Sequence, residues 1–217
     1  MPFGSSAASE AQEHCIVTTP VSPLLPTDPH AVEQAIALSR AWVEHAVIGL
    51  NLCPFAKPVH VKGQIAYRVS AATTEDALAD DLLQAMQWLL ETSPDETDTC
   101  LLIHPWALQD FMAYNDFLDI AESLLADAGL DGVLQIASFH PDYQFAGTQA
   151  DDITNSSNRS PFPMLHLLRE ASLDKATAAM PDASDIVDRN LATLRALGPE
   201  GWEALQLRIR TAAKTPG

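Results

Sequence analysis

The chain has 217 residues, 47% of them hydrophobic and 19% charged, the balance of an ordinary globular protein rather than of a disordered or membrane-embedded one. Its 29 acidic residues against 12 Lys and Arg leave a formal charge of −17, which repels nucleic-acid phosphates and anionic membrane surfaces. No apolar run reaches the roughly 20 residues that span a bilayer, so neither nucleic acid nor membrane is an expected partner.

Residues 1–28 carry Pro20, Pro23 and Pro26, lack Lys and Arg, and have no continuous apolar stretch. They read as a disordered leader and not as a secretory signal. Cys15, Cys53 and Cys100 are irregularly spaced and form no CxxC pair, which favours reduced thiols and a cytoplasmic protein. The remainder, 29–213, is long enough for a single domain with its own core.

Asp28-Pro29 reads as a helix cap followed by Pro at the first helical position. Val32, Ile36, Val43, Val47 and Leu50 then recur at helical spacing, giving a helix over about 30–50. Ile65, Tyr67 and Val69 alternate with Ala66, Arg68 and Ser70 as a strand. Thr74 opens a second helix with the stripe Leu78, Leu82, Met86 and Leu89. Cys100–Ile103 is a compact apolar strand, and a helix containing Phe111, Leu118 and Leu124 ends at Gly129. Val133–Phe139 is the third strand; helices over about 183–197 and 200–212 follow, separated by Gly198-Pro199. The expected fold class is α/β: a small, mainly parallel sheet of three or slightly more strands, with a β-α-β-α-β core flanked by helices.

The second and third strands both end in His-Pro, at His104-Pro105 and His140-Pro141. Ligands of open α/β sheets sit at that edge, so parallel neighbours would bring His104 and His140 side by side. His140 is the leading candidate for a general acid or base; packing of its ring against loop carbonyls is the plainer alternative. Asn158-Arg159-Ser160-Pro161-Phe162-Pro163 leads to His166 and Arg169, expected three apart on a helix starting near Ser160. No acid lies between Glu44 and Glu75, a window holding Lys57, Lys62 and Arg68, nor between Asp152 and Glu170, which holds Arg159 and Arg169. Such gaps in an acidic protein suggest an electropositive island for an anion, although strands and Pro-rich loops are poor in acids in any case.

Cys53, within Asn51-Leu52-Cys53-Pro54-Phe55-Ala56-Lys57, is inert if it follows a helix C-terminus and activated if it caps a turn that starts at Pro54. His140, Asp142 and His166 also have the makings of a two-His, one-carboxylate divalent metal centre. P-loop, GxGxxG, GxSxG and HExxH motifs are absent.

The stretches Asn51–Ala56, His140-Pro141-Asp142-Tyr143-Gln144-Phe145 and Asn158–Glu170 resemble a bacterial family described as a domain of unknown function. The likeness runs over about 30–198. It implies one cytoplasmic domain and no particular mechanism. The residues therefore carry the functional expectation: an enzyme acting on a small anionic metabolite without a cofactor. His140 is the acid or base, Cys53 a nucleophile, and His104 or His166 an orienting partner. Arg159, Lys57 and Arg169 bind the anion, with Tyr143 and Asn158 beside them. A metal-dependent enzyme and a non-catalytic anion-binding or regulatory module are the alternatives.

Overall fold

The computed structural model describes residues 28–178 and 185–214; the expected leader, with Cys15, and the start of the helix expected from 183 lie outside them. Helix α1, Pro29–Trp42, is capped by Asp28, whose carboxylate accepts the His30 N–H, and it runs into a wider π-helical turn over Val43–Ile48. A short helix α2, Ala56–Val61, precedes strand β1, Ile65–Val69. Then come α3 (Glu75–Glu91), β2 (Thr99–Ile103), α4 (Phe111–Asp127) and β3 (Leu134–Phe139). After a loop containing a 3-10 turn at Ile153–Ser157 come β4 (Met164–Arg169), α5 (Glu170–Ala178) and α6 (Ile186–Ala212). Gly198, at φ 67°, breaks α6 where Gly198-Pro199 was expected to separate two helices.

The fold is mixed α/β, but the sheet corrects the expected topology. It has four strands in the order β1-β2-β4-β3. β1 and β2 are parallel, whereas β4 is antiparallel to both β2 and β3. The three expected strands do point the same way; the extra strand lies between two of them. That strand is the segment expected to be a helix carrying His166 and Arg169. Residues preceding proline are pushed to extended backbone, and Pro161 and Pro163 deliver an extended chain into Met164–Leu168. This apolar run suits a central strand covered on both faces. Two residues three apart in so short a run do not separate helix from strand.

Successive residues of β2 and β4 supply two cores. Cys100, Leu102, Leu165 and Leu167 pack with α3 and α4, around Leu82, Met86, Tyr114 and Phe117. Leu101, Ile103 and Met164 face the other way, toward Trp42, Val43 and Val47 and toward Leu194, Trp202 and Leu205 of α6. No helix of the described residues is long and apolar enough to cross a membrane.

Candidate functional site

A cavity of about 420 Å3 opens on the α1 face of the sheet. Its floor is strand surface: Ile65 of β1, Thr99 and Leu101 of β2, Ala137 and Phe139 of β3, His166 and Leu168 of β4. Trp42, Val43 and Val47 form one wall at the π-helical turn, a feature that often marks functional sites. Cys53 to Ala56 with Val59 form another, and Leu173 and Ala176 of α5 a third. The cavity is apolar except for Cys53, Asp98, Thr99, His166, Arg169 and Ser172.

Alternation along β4 turns His166 into this cavity, between Leu101 and Ala137 on the neighbouring strands. The Thr99 hydroxyl lies 2.6 Å from His166 Nε2 and donates to the Leu167 carbonyl at 2.7 Å. A hydroxyl has one proton and a carbonyl has none to give, so Nε2 must donate to Thr99. His166 is thereby held as the Nε2–H tautomer. Its Nδ1 lone pair has no hydrogen-bond partner among the described residues. Desolvation by the apolar surroundings lowers the imidazole pKa to about 4, so the ring is neutral near pH 7.

Cys53 occupies the cavity wall as the cap of the turn leading into α2. Burial pushes its thiol up, and backbone hydrogen bonds from Phe55 and Ala56 oppose this without overcoming it. The resting group is therefore a thiol.

Arg169 reaches the same cavity, but its guanidinium is committed to the loop joining α3 and β2. Nη2 donates to the carbonyls of Leu89, Thr92 and Thr97. Asp98 beside it accepts from the Ser172 hydroxyl. The charged rim of the cavity is thus one carboxylate and one cation, anchored through Nη2 with its buried Nε left without a partner.

His104 and His140 occupy a different place, at the C-terminal edge of β2 and β3 on the α4 side. β4 holds their strands two spacings apart, roughly 10 Å, and the ring of Tyr114 fills the gap, 5.8 Å from His104 and 5.1 Å from His140 between centroids. The Tyr114 hydroxyl donates to the Met164 carbonyl and accepts the Phe139 N–H, both at 2.9 Å. His140 is fully buried: Nδ1 accepts the Asp142 N–H at 3.0 Å and Nε2 donates to the Leu108 carbonyl at 3.2 Å. That second bond steadies Leu108 at φ 54°, a left-handed conformation costly for a bulky residue. His104, equally buried, directs Nδ1 to the Ala107 carbonyl at 3.1 Å, leaving Nε2 without a partner. Burial lowers its pKa to about 4, with His140 adding to the effect.

The remaining candidates are dispersed. Arg159 ties down the 143–150 loop, donating from Nε to the Tyr143 carbonyl and from Nη2 to the Ala150 carbonyl. Asn158 donates to the Ser138 carbonyl, and Tyr143 bonds through its hydroxyl to Ser138 while its ring packs on Phe111 and Phe145. Lys57 is exposed on α2 and does not line the cavity. His140, with Asp142 close by, and His166 stand on opposite faces of the sheet. Among the described residues no group of three or more His, Cys, Asp or Glu side chains is placed to hold a metal ion.

Only Cys53, His166 and Arg169 of the candidate residues share the cavity. Sequence reasoning missed Thr99, Asp98 and the α5 wall. The one available signal was a polar residue in each of two apolar runs, Thr99 opening β2 and His166 interrupting β4.

No curated protein and no solved structure matches this chain. A family model described as "Protein of unknown function (DUF1415)" matches residues 34–204, most of the sequence and every described strand. The chain belongs to the DUF1415 family.

Proposed function

We propose that the protein takes up a small, largely apolar molecule bearing one hydroxyl or N–H group, which donates to Nδ1 of His166. The carrying observation is that Thr99 fixes the tautomer of a neutral imidazole in a mostly apolar cavity. Such a combination of apolar walls with a few convergent polar groups characterises small-molecule sites, and about 420 Å3 lies within their usual range of roughly 300–1,000 Å3. A fully anionic ligand suits this cavity poorly, because a carboxylate, Asp98, stands beside its one cation and the rest of the lining is mostly apolar.

The test is 4-ethylphenol, which carries one donor on an apolar body. It should raise the melting temperature and perturb the NMR signals of Cys53 and His166. His166→Phe should weaken binding about tenfold, the scale of one hydrogen bond to a buried acceptor, and Ala137→Phe should abolish it by filling the floor. Unchanged affinity in both variants refutes the reading.

A catalytic extension is supported by the presence of Cys53 on a wall of the cavity that His166 faces. An electrophilic carbon bound in the cavity would be attacked by sulfur as the thiol proton passes to His166 Nδ1, a general-base step that needs no resting thiolate. Incubation with p-nitrophenyl butyrate should then release p-nitrophenol and leave a butyryl thioester on Cys53, more slowly in His166→Phe. Acylation of Cys53 at the same rate in both proteins removes His166 from the step.

A further inference from the structure

A second, smaller cleft of about 210 Å3 lies behind Trp42, where α1 and α6 meet the loop after β3. Pro141 and Arg159 to Pro161 form one side; Trp202, Gln206, Ile209 and Arg210 of α6 form the other. The stretches His140–Phe145 and Asn158–Glu170 therefore meet here, whereas Asn51–Ala56 and the later part of Asn158–Glu170 meet at the larger cavity.

The electrostatics of this cleft are unusual for the chain. The protein has 29 acidic residues, yet no Asp or Glu lines the cleft, and two arginines, Arg159 and Arg210, do. Neither Arg159 nor Arg210 has an ion pair with a carboxylate among the described residues. Arg159 spends Nε and Nη2 on loop carbonyls, which fix its plane, while Nη1 has no partner among the described residues and is not sealed off. A pre-oriented guanidinium loses little freedom on binding an anion. Trp42 is anchored as well: its indole N–H donates to the carbonyl of Arg159 at 3.0 Å, so one indole and one guanidinium are held in a fixed relation. Gln206 adds a neutral donor and acceptor on the opposite side.

We propose that this cleft binds a small organic anion, its carboxylate between the guanidiniums of Arg159 and Arg210 and its apolar body against Trp42 and Trp202. The charge-assisted contacts are those arginine makes best, and the low volume, below the usual range for drug-sized ligands, restricts the body to about one ring or a short chain. Of the cations expected from the sequence to hold an anion, Arg159 lines this cleft, Arg169 lines the cavity of His166 and Lys57 lines neither; Arg210 is the cleft's second arginine. The two sites share only Trp42 among their lining residues.

Benzoate is the probe, with benzyl alcohol as its neutral counterpart, and the readout is the set of indole N–H signals in a 1H–15N spectrum. Benzoate should move the signals of Trp42 and Trp202 saturably and leave Trp88 unmoved. Benzyl alcohol should move Trp202 at concentrations at least tenfold higher. Arg210→Gln, at an exposed position, should weaken benzoate about tenfold, while Arg208→Gln, exposed and outside the cleft, should not. Three results overturn the proposal: benzyl alcohol acting on Trp202 as effectively as benzoate, Arg210→Gln leaving benzoate affinity unchanged, or no saturable movement of Trp202. Movement of Trp42 without Trp202 belongs to the third and assigns benzoate to the larger cavity, because Trp202 does not line it. The outcome is independent of the 4-ethylphenol experiment.

Discussion

His140 directly follows β3 and His166 lies in the neighbouring β4, yet their side chains leave the sheet on opposite faces and have opposite surroundings. On the α4 face, Phe111, Tyr114 and the Leu108 carbonyl close over His140, and both ring nitrogens are consumed by backbone groups. On the α1 face, one nitrogen of His166 is held by Thr99 and the other is left for whatever enters the cavity. Both imidazoles are depressed in pKa by burial, so a lowered pKa alone does not distinguish a structural histidine from one able to act on a ligand. The distinction is whether a lone pair faces open space.

The contrast is sharpest in stability. His140→Ala should cost about 3–4 kcal/mol in urea unfolding, since it removes an aromatic neighbour of Phe111 and Tyr114 and strands two backbone groups. A cost comparable to that of an exposed substitution would break the assignment of His140 to the closed region.

The next effect is in pH. The folded pKa of His104 is about 4, below its ordinary value of about 6.5. Between those values the unfolded chain takes up a proton that the folded chain refuses. The stabilisation is therefore complete above pH 6.5 and is lost as pH falls toward 4, by up to about 3 kcal/mol. His104→Asn keeps a donor near Ala107 but has no such proton uptake. Urea midpoints measured from pH 7 to 4.5 should fall less steeply in this variant than in the wild type; parallel curves would count against a buried neutral His104.

Arg169→Met tests whether that cation is a loop pin. Loss of its carbonyl contacts should cost about 2 kcal/mol and speed hydrogen exchange in the 92–98 loop. His166→Phe should cost about 1 kcal/mol or less, because only the Thr99 contact is lost and Thr99 keeps its bond to Leu167. A His166 substitution as damaging as that of His140 would erase the difference between the two faces.

The smallest signal is at Cys53. Its raised pKa predicts iodoacetamide labelling slower than that of a free thiol at pH 7, followed peptide by peptide to separate it from Cys15, and slowed further by 4-ethylphenol. Labelling at or above the free-thiol rate would mean that the cavity wall is wetter than its lining implies.

The helices with strong periodicity and capping residues were legible in the sequence: Asp28-Pro29 opening α1, Thr74 opening α3 and Gly198-Pro199 breaking α6. So were the three co-directional strands, whose composition and flanking turns are local properties. Strand β4 was not, because a short apolar run after two prolines satisfies either period. That single ambiguity decided the site, since a helix would have put His166 beside Arg169 and a strand puts it diagonally opposite Thr99, on the same face of the sheet.

The sequence by itself determined the class of the fold, the acidity of the surface and the inventory of reactive groups, all of which follow from composition and from interactions spanning a few residues. Tertiary structure alone decided which groups share a space. Strand order placed β4 between the two His-Pro edges, and alternation turned His166 to one face while His140 was closed in on the other. It also sent Arg159 and Arg210, from segments far apart in the chain, to one cleft. Register and strand order are settled by packing between distant segments, whose free energy no local window contains.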